Sequence, residues 1–500
     1  MKPVSQRARP RILSPWAGAA VAGVLLSPAA WSFSFNLGDN YSGSLDTILS
    51  AGASLRVEEA DSPPGSTGNA NFDDGDLTSV PLKGVTDLGI KGNRHGAFFR
   101  VSYLYDPVIE DKDDNEIPKE AKSRAGHDIR LLDAFVYGSF DVGARSVEAR
   151  LGSQVVSWGE STFISGGINT INPADIGRLL TPGVEVKEGL LPAPMIWLSV
   201  PMLFDYTGIE MYYKMEWDET ELPPVGTYFS PTDLIGEGKV DMLATPLGTL
   251  PKSMDRLPDD GGEYGVRISQ ALPSFGYAEL GFYYINYHAQ SPIIAAEFVG
   301  AVPSFYLLYP EDIELFGVSA NSQIGEWAIQ GELSYRPDFP IANDTLAVLG
   351  SLAGGPTAVA DPYQEFEYKQ AQVTGTRVYS QWYGGMDRMT AVIEAGTAWL
   401  PDGVEGYDHI DNSAWGVQAR FIGDYFDAMP GITVSPQLAL EWDVNGTLGS
   451  AFSDNAKSAT LSVDAKHVDV WSVSLGYTRY WAGGTYEDRD FVSMNYKHAF

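Results

Sequence analysis

Chemistry in this chain would have to come from its six histidines, or from a set of charged and amide side chains recurring at two-residue spacing. The histidines, His95, His127, His288, His409, His467 and His498, are scattered. None pair at helical spacing, HExxH is absent and there is no cysteine, so no metal or cofactor is expected. Serine catalysis needs a base held against the nucleophile, and no GxSxG elbow occurs. The chain is therefore not expected to be an enzyme.

The second set is Arg150, Gln154, Gln330, Glu332, Arg336, Arg388, Glu394, Gln418, Arg420 and Glu441. Several sit opposite an apolar row. Trp327, Ile329, Leu333 and Tyr335 alternate with Gln330, Glu332, Ser334 and Arg336, and Trp415, Val417, Ala419 and Phe421 with Gln418 and Arg420. Val147, Ala149 and Leu151 oppose Glu148, Arg150 and Gln154. Successive side chains of a strand point to opposite faces, so each segment has one greasy and one wet face. Residues on the wet face could line a water-filled lumen and select the solutes that pass.

These faces require a closed sheet. The pattern predicts an all-β fold, a transmembrane antiparallel β-barrel of about 16 strands (range about 14–18) starting near Leu45–Val57. Aromatic residues near strand ends, such as Trp327, Trp415, Tyr425, Trp471 and Trp481, suit interfacial girdles. The last segment alternates Val492, Met494, Tyr496, His498 and Phe500 with Ser493, Asn495, Lys497 and Ala499.

Residues 1–32 read as a cleaved signal peptide. Lys2, Arg7, Arg9 and Arg11 precede an uncharged apolar run from Trp16 to Ala30, and Ala30-Trp31-Ser32 offers small residues for cleavage before Phe33. Residues 33–500 then form the barrel. The formal net charge of −32 disfavours nucleic acid as a partner. Two acidic stretches, with Asp73, Asp74 and Asp76 and with Asp111, Asp113, Asp114 and Glu116, read as surface loops without the glycine and terminal Glu of an EF-hand.

Two kinds of segment break the alternation. Residues 157–197 are expected to insert two short helices between strands. Asn172 would cap the first with Pro173 at its first position, and Pro182-Gly183 would end it. The insert is read as a plug or gate in the lumen, or else as an external lid. Trp158, Gly159, Glu160 and Ser161 would be its hinge, with Asn172, Asp175, Arg178, Glu185, Lys187 and Glu188 contributing, the charged ones by pairing with the wall. The other kind is apolar. Residues 292–310 include Phe298, Phe305, Tyr306, Leu307 and Leu308, expected to contact an apolar ligand, and residues 345–360 carry no charge.

Arg150 to Ser161 (RLGSQVVSWGES), Ile171 to Met195 (INPADIGRLLTPGVEVKEGLLPAPM) and Glu216 to Gly238 (EWDETELPPVGTYFSPTDLIGEG) resemble a known group. The chain is similar, over nearly all of its mature length, to domain-of-unknown-function family 1302 of proteobacterial outer-membrane proteins. The resemblance implies a Gram-negative outer membrane, with lipid and lipopolysaccharide around the barrel. It also implies a hydrophobic ligand, a periplasmic lipoprotein-like partner and a transporter of the resistance-nodulation-division type. The expected function is a conduit for hydrophobic small molecules or lipids. The alternative is a diffusion porin for small polar solutes.

Overall fold

In the computed structural model, described for residues 33–61, 66–245, 248–276, 278–401, 409–468 and 470–500, one sheet closes on itself. The expected signal peptide lies outside the described residues. The ring opens with β1 (Tyr41–Arg56), β2 (Leu82–Lys91), β3 (His95–Tyr105), β4 (His127–Val142), β5 (Arg145–Gln154) and β6 (Ala193–Phe204). It continues through β7 (Thr207–Lys214), β8 (Tyr264–Leu272), β9 (Ala278–Tyr287), β10 (Ile313–Ile324), β11 (Trp327–Ala342) and β12 (Tyr363–Trp382). The last six are β13 (Met386–Trp399), β14 (Ser413–Met429), β15 (Ile432–Asn445), β16 (Lys457–His467), β17 (Trp471–Trp481) and β18 (Phe491–Ala499). Each pairs antiparallel with the next, and β18 returns to β1 from Ile48↔Ala499 to Arg56↔Phe491. Two short strands, Phe33–Leu37 and Leu77–Ser79, add to β1. By its hydrogen bonds the sheet has 20 strands, and without those two the closed ring has 18.

The expectation of about 16 strands is therefore corrected to 18, an even number as in bacterial single-chain barrels. The first strand begins at Tyr41 rather than Leu45. The miscount has a physical source. β6 carries Met195 and Trp197 inward, both buried, and Ile196 and Met202 outward, both exposed. A strand that packs against something on both faces shows no polar row.

Elsewhere the polarity of a soluble protein is inverted. Leu333, Leu461 and Leu475 are 45%, 60% and 55% exposed on the outer skin, while Glu332, Arg336 and Glu394 are buried within. An exposed apolar band around a closed hydrogen-bond ladder is the arrangement lipid permits. The barrel is thus built to span a membrane, with its apolar band towards lipid. Trp415 and Trp481 mark one rim and Tyr206, Phe275 and Tyr383 the other, all exposed. Turns at the second rim are short, as at Phe204↔Thr207 and Ile324↔Trp327, and connections at the first are long.

The apolar runs pack together. Ile293–Val299 and Val302–Leu308 form a separate hairpin. Residues from 345 form a helix, Thr345–Ser351, capped by the Asp344 carboxylate. Phe305, Val348, Leu349 and Leu352 share one cluster, with Phe298 against it.

Candidate functional site in the barrel lumen

The insert leaves β5 after Gln154 and rejoins the sheet at Ala193. It reaches β2 through Lys187 and Asp87, and β13 through Thr162 and Glu394. Those strands stand on well-separated arcs of a closed sheet, so a segment touching both lies inside it.

The first limb, residues 157–171, forms neither helix nor strand. Its backbone groups must still find partners away from water, and the wall supplies them. Glu332 accepts from the N–H groups of Glu160 (2.5 Å), Ser161 (3.2 Å) and Ile168 (2.8 Å), and from the Gln372 amide (2.9 Å). Glu394 accepts from the N–H groups of Thr162 (2.9 Å), Phe163 (2.6 Å) and Ile164 (2.8 Å), and from the Thr374 hydroxyl (3.0 Å). Carbonyls are met from the same wall. Arg336 donates to Gly166 (2.8 Å) and Gly167 (2.7 Å), Gln370 to Ser165 (2.7 Å) and Gln330 to Glu160 (2.9 Å). A desolvated carboxylate is costly alone and becomes tolerable when several N–H dipoles converge on it.

Trp158 fixes the start of this limb. It is 3% exposed, and its indole N–H donates to Glu210 at 3.0 Å. With Val156, Ile168 and Ile171 it packs on Met195, Trp197, Tyr212, Tyr283 and Ile285 of the inner wall. Gly159 has φ +97°, and a Cβ there would lie 2.5 Å from a Glu332 oxygen. Glu160 holds Asn321 at 2.8 Å through its own carboxylate.

The second limb is held by charge. Asp175 pairs with Arg130 (3.2 Å), Arg178 with Asp128 (2.7 Å), Glu185 with Lys497 (2.5 Å), Lys187 with Asp87 (3.2 Å) and Glu188 with Lys83 (3.4 Å). Each of the five charged residues singled out in the sequence thus meets a charge of the wall. The expected cap is different. The helix is only Ile176–Leu179, and Asp175, not Asn172, caps it. Asn172 instead bonds the N–H of Val156 and the carbonyls of Gln154 and Leu191, tying the two ends of the insert together. The second turn is a 3-10 one, Val186–Glu188.

The remaining expected lumen residues are spread round the ring. The Arg150 guanidinium lies 4.5 Å from the Trp197 ring centre, and Gln154 donates to the Met195 carbonyl (3.2 Å). On β13 to β15, Arg388 bonds Asp424 (2.6 Å), Arg420 bonds Gln437 (2.6 Å) and Gln418 bonds Glu441 (3.3 Å). Arg420 is exposed on this inward face, and the Arg388 side chain is half exposed. Of the expected ligand contacts, Phe305, Tyr306 and Leu307 are buried inside the loop cluster, and Phe298 and Leu308 are half-buried.

Sequence reading missed the wall partners Lys83, Asp87, Arg100, Asp128, Arg130 and Lys497, and Glu221 on the connection between β7 and β8. A signal existed for the first two: Lys83, Val85 and Asp87 share one face of β2, and a strand with two charges on one face needs partners inside. Arg100 bridges Asp87 and Asp133. Glu221 joins Arg124 (2.8 Å) and Arg130 (3.0 Å), and burial pushes its carboxyl up to about 7.

Several solved barrels are similar. OccK1 (OpdK) of Pseudomonas aeruginosa is 11% identical, covering 93% of this chain and 99% of its own, with a TM-score of 0.46. OccAB1 of Acinetobacter baumannii is 11% identical, covering 95% and 99%, with a TM-score of 0.47. A BenF-like porin from Pseudomonas fluorescens Pf-5 is 9% identical, covering 92% and 98%, with a TM-score of 0.47. Likeness at this level says nothing of what this chain carries. No curated protein matches it. The profile of the family described as protein of unknown function (DUF1302) matches residues 13–500, and the chain belongs to that family.

Proposed function

We propose that the protein is a passive outer-membrane channel for small molecules, in which the insert sets the width and polarity of the passage. The observation behind this is the seating of residues 160–168 on Glu332 and Glu394 from inside the ring. A segment fixed at both limbs narrows a lumen without sealing it by a separate domain. The water-exposed Arg388 and Arg420 support a wet path beside it. In planar bilayers we expect small, steady unit conductances. Replacing residues 160–168 by a short Gly-Ser linker should raise them severalfold. A silent wild type together with a silent linker variant would remove the channel reading.

A conduit for hydrophobic molecules, working with a periplasmic partner and a resistance-nodulation-division transporter, is the second reading. Its support is the family resemblance together with a partly apolar cavity above the insert. The burial of Phe305, Tyr306 and Leu307 takes away the open greasy mouth that it would use.

A further inference from the structure

Among the described residues, every arginine but one has a carboxylate, carbonyl or amide oxygen within 4.0 Å. The exception is Arg150 on β5. It pairs in register with Tyr137 of β4 and Trp197 of β6. Its guanidinium lies 4.5 Å from the Trp197 ring centre and 5.8 Å from that of Phe135. The intervening Val136, Leu151 and Ile196 are exposed on the outer skin, which turns Arg150 and its aromatic neighbours inward. Its nitrogens are unpaired but not enclosed, so they open on the lumen, between the departure of the insert after Gln154 and the second rim.

Stacking on an indole covers one face of a guanidinium and leaves its in-plane N–H groups free. That edge matches the two oxygens of a carboxylate. Beside it Phe98 of β3 lies 5.6 Å from Phe135, and Phe135 6.3 Å from Tyr137, centre to centre. All three rings are half-buried, an aromatic shelf on the inner wall against which a flat body can stack. The nearest acid on the same face is Glu148, which is exposed and pairs in register with Ser139 and Ser199. It has charge but no shelf, so a flat cation gains little there, and a second negative charge on a ligand at Arg150 would be repelled by it. We propose that Arg150 and this shelf bind a flat organic monocarboxylate, its oxygens on the guanidinium edge and its body along Phe135 and Phe98. The inference deepens the channel reading and rests on it for access to the lumen, naming the class of molecule that pauses inside.

The test is equilibrium dialysis of the purified barrel in phosphatidylcholine nanodiscs, with empty discs subtracted. Three probes of one shape are compared: 2-naphthoate, 2-naphthamide and 2-naphthylmethylammonium. Naphthoate should bind at least about tenfold more tightly than the amide or the ammonium. Arg150→Gln should weaken naphthoate about tenfold and erase its advantage over the amide. Because Arg150 bonds no neighbour, that change leaves the hydrogen bonds of the wall in place. Phe135→Leu provides a second arm: it removes a ring, keeps the guanidinium, and should weaken naphthoate about threefold. The amide or the ammonium binding as tightly as naphthoate overturns the class. No naphthoate uptake above empty discs, or uptake unchanged in Arg150→Gln, overturns the site, and uptake unchanged in Phe135→Leu overturns the shelf. Conductance is read separately, so a failed channel and a failed binding site are told apart.

Discussion

Glu332 on β11 and Glu394 on β13 face the strand between them, Glu332 paired in register with Gln372 and Glu394 with Thr374. Together they collect six backbone N–H groups of the insert. Two wall carboxylates thus do for an irregular segment what a ladder does for a strand.

Replacing Glu332 by Gln tests that relationship. Glutamine keeps the shape but offers one acceptor oxygen and a donor group where N–H groups point. The variant should lose about 1–3 kcal/mol of stability. In the folded barrel, protease should cut between residues 157 and 172. A variant as resistant as wild type would show that the carboxylate is dispensable.

Glycines 159 and 167 approach the same carboxylate. Gly167 has ordinary φ, and a Cβ there would collide with Glu332, whereas Gly143 has φ +63° and open space around it. Gly143→Ala should therefore cost only its backbone strain, about 1 kcal/mol. Gly167→Ala should cost more and raise conductance, because the insert must shift. Equal effects in thermal unfolding would mean that the insert is not in contact with the wall.

Lys83 and Glu188 are both buried, with side chains 1% and 3% exposed. Removing one partner strands a charge and should cost about 3–5 kcal/mol, while replacing both by apolar residues should be near neutral. The pair Glu188→Leu and Lys83→Met, measured singly and together, should show strong coupling. Additive losses would contradict the pairing.

Glu221 gives a pH signature. Burial raises its carboxyl from 4.5 to about 7, against the pull of Arg130 and Arg124. Between those values the folded chain keeps a proton that the unfolded chain has lost. This group's contribution to stability is therefore full below 4.5, falls as pH rises towards 7, and is constant above. Wild type should lose stability relative to Glu221→Gln across that window. Parallel melting curves from pH 4.5 to 8 would rule the proton out.

Much of this was legible in the sequence. The two-residue rhythm of Trp327 to Arg336 reports a strand between lipid and water, and the structure places Glu332 and Arg336 inward as that rhythm requires. The charged residues from Asp175 to Glu188 were visible as a group that needs partners. Less legible was whatever depends on distant packing. β6 hides its parity because Met195 and Trp197 pack against the insert. Asn172 looks like a cap, and only the return of Leu191 shows that it is a tie. The role of Glu332 was invisible for another reason: its partners are backbone amides, which leave no mark on residue type.

The insert lies in the lumen against β12, and the absence of cysteine makes that directly testable. The hydroxyls of Thr162 and Thr374 are 3.1 Å apart. Thr162→Cys combined with Thr374→Cys should form a disulfide on mild oxidation of the folded barrel, seen as a reducible shift in gel mobility. Two thiols that stay free in the folded protein and both react with a maleimide would contradict it.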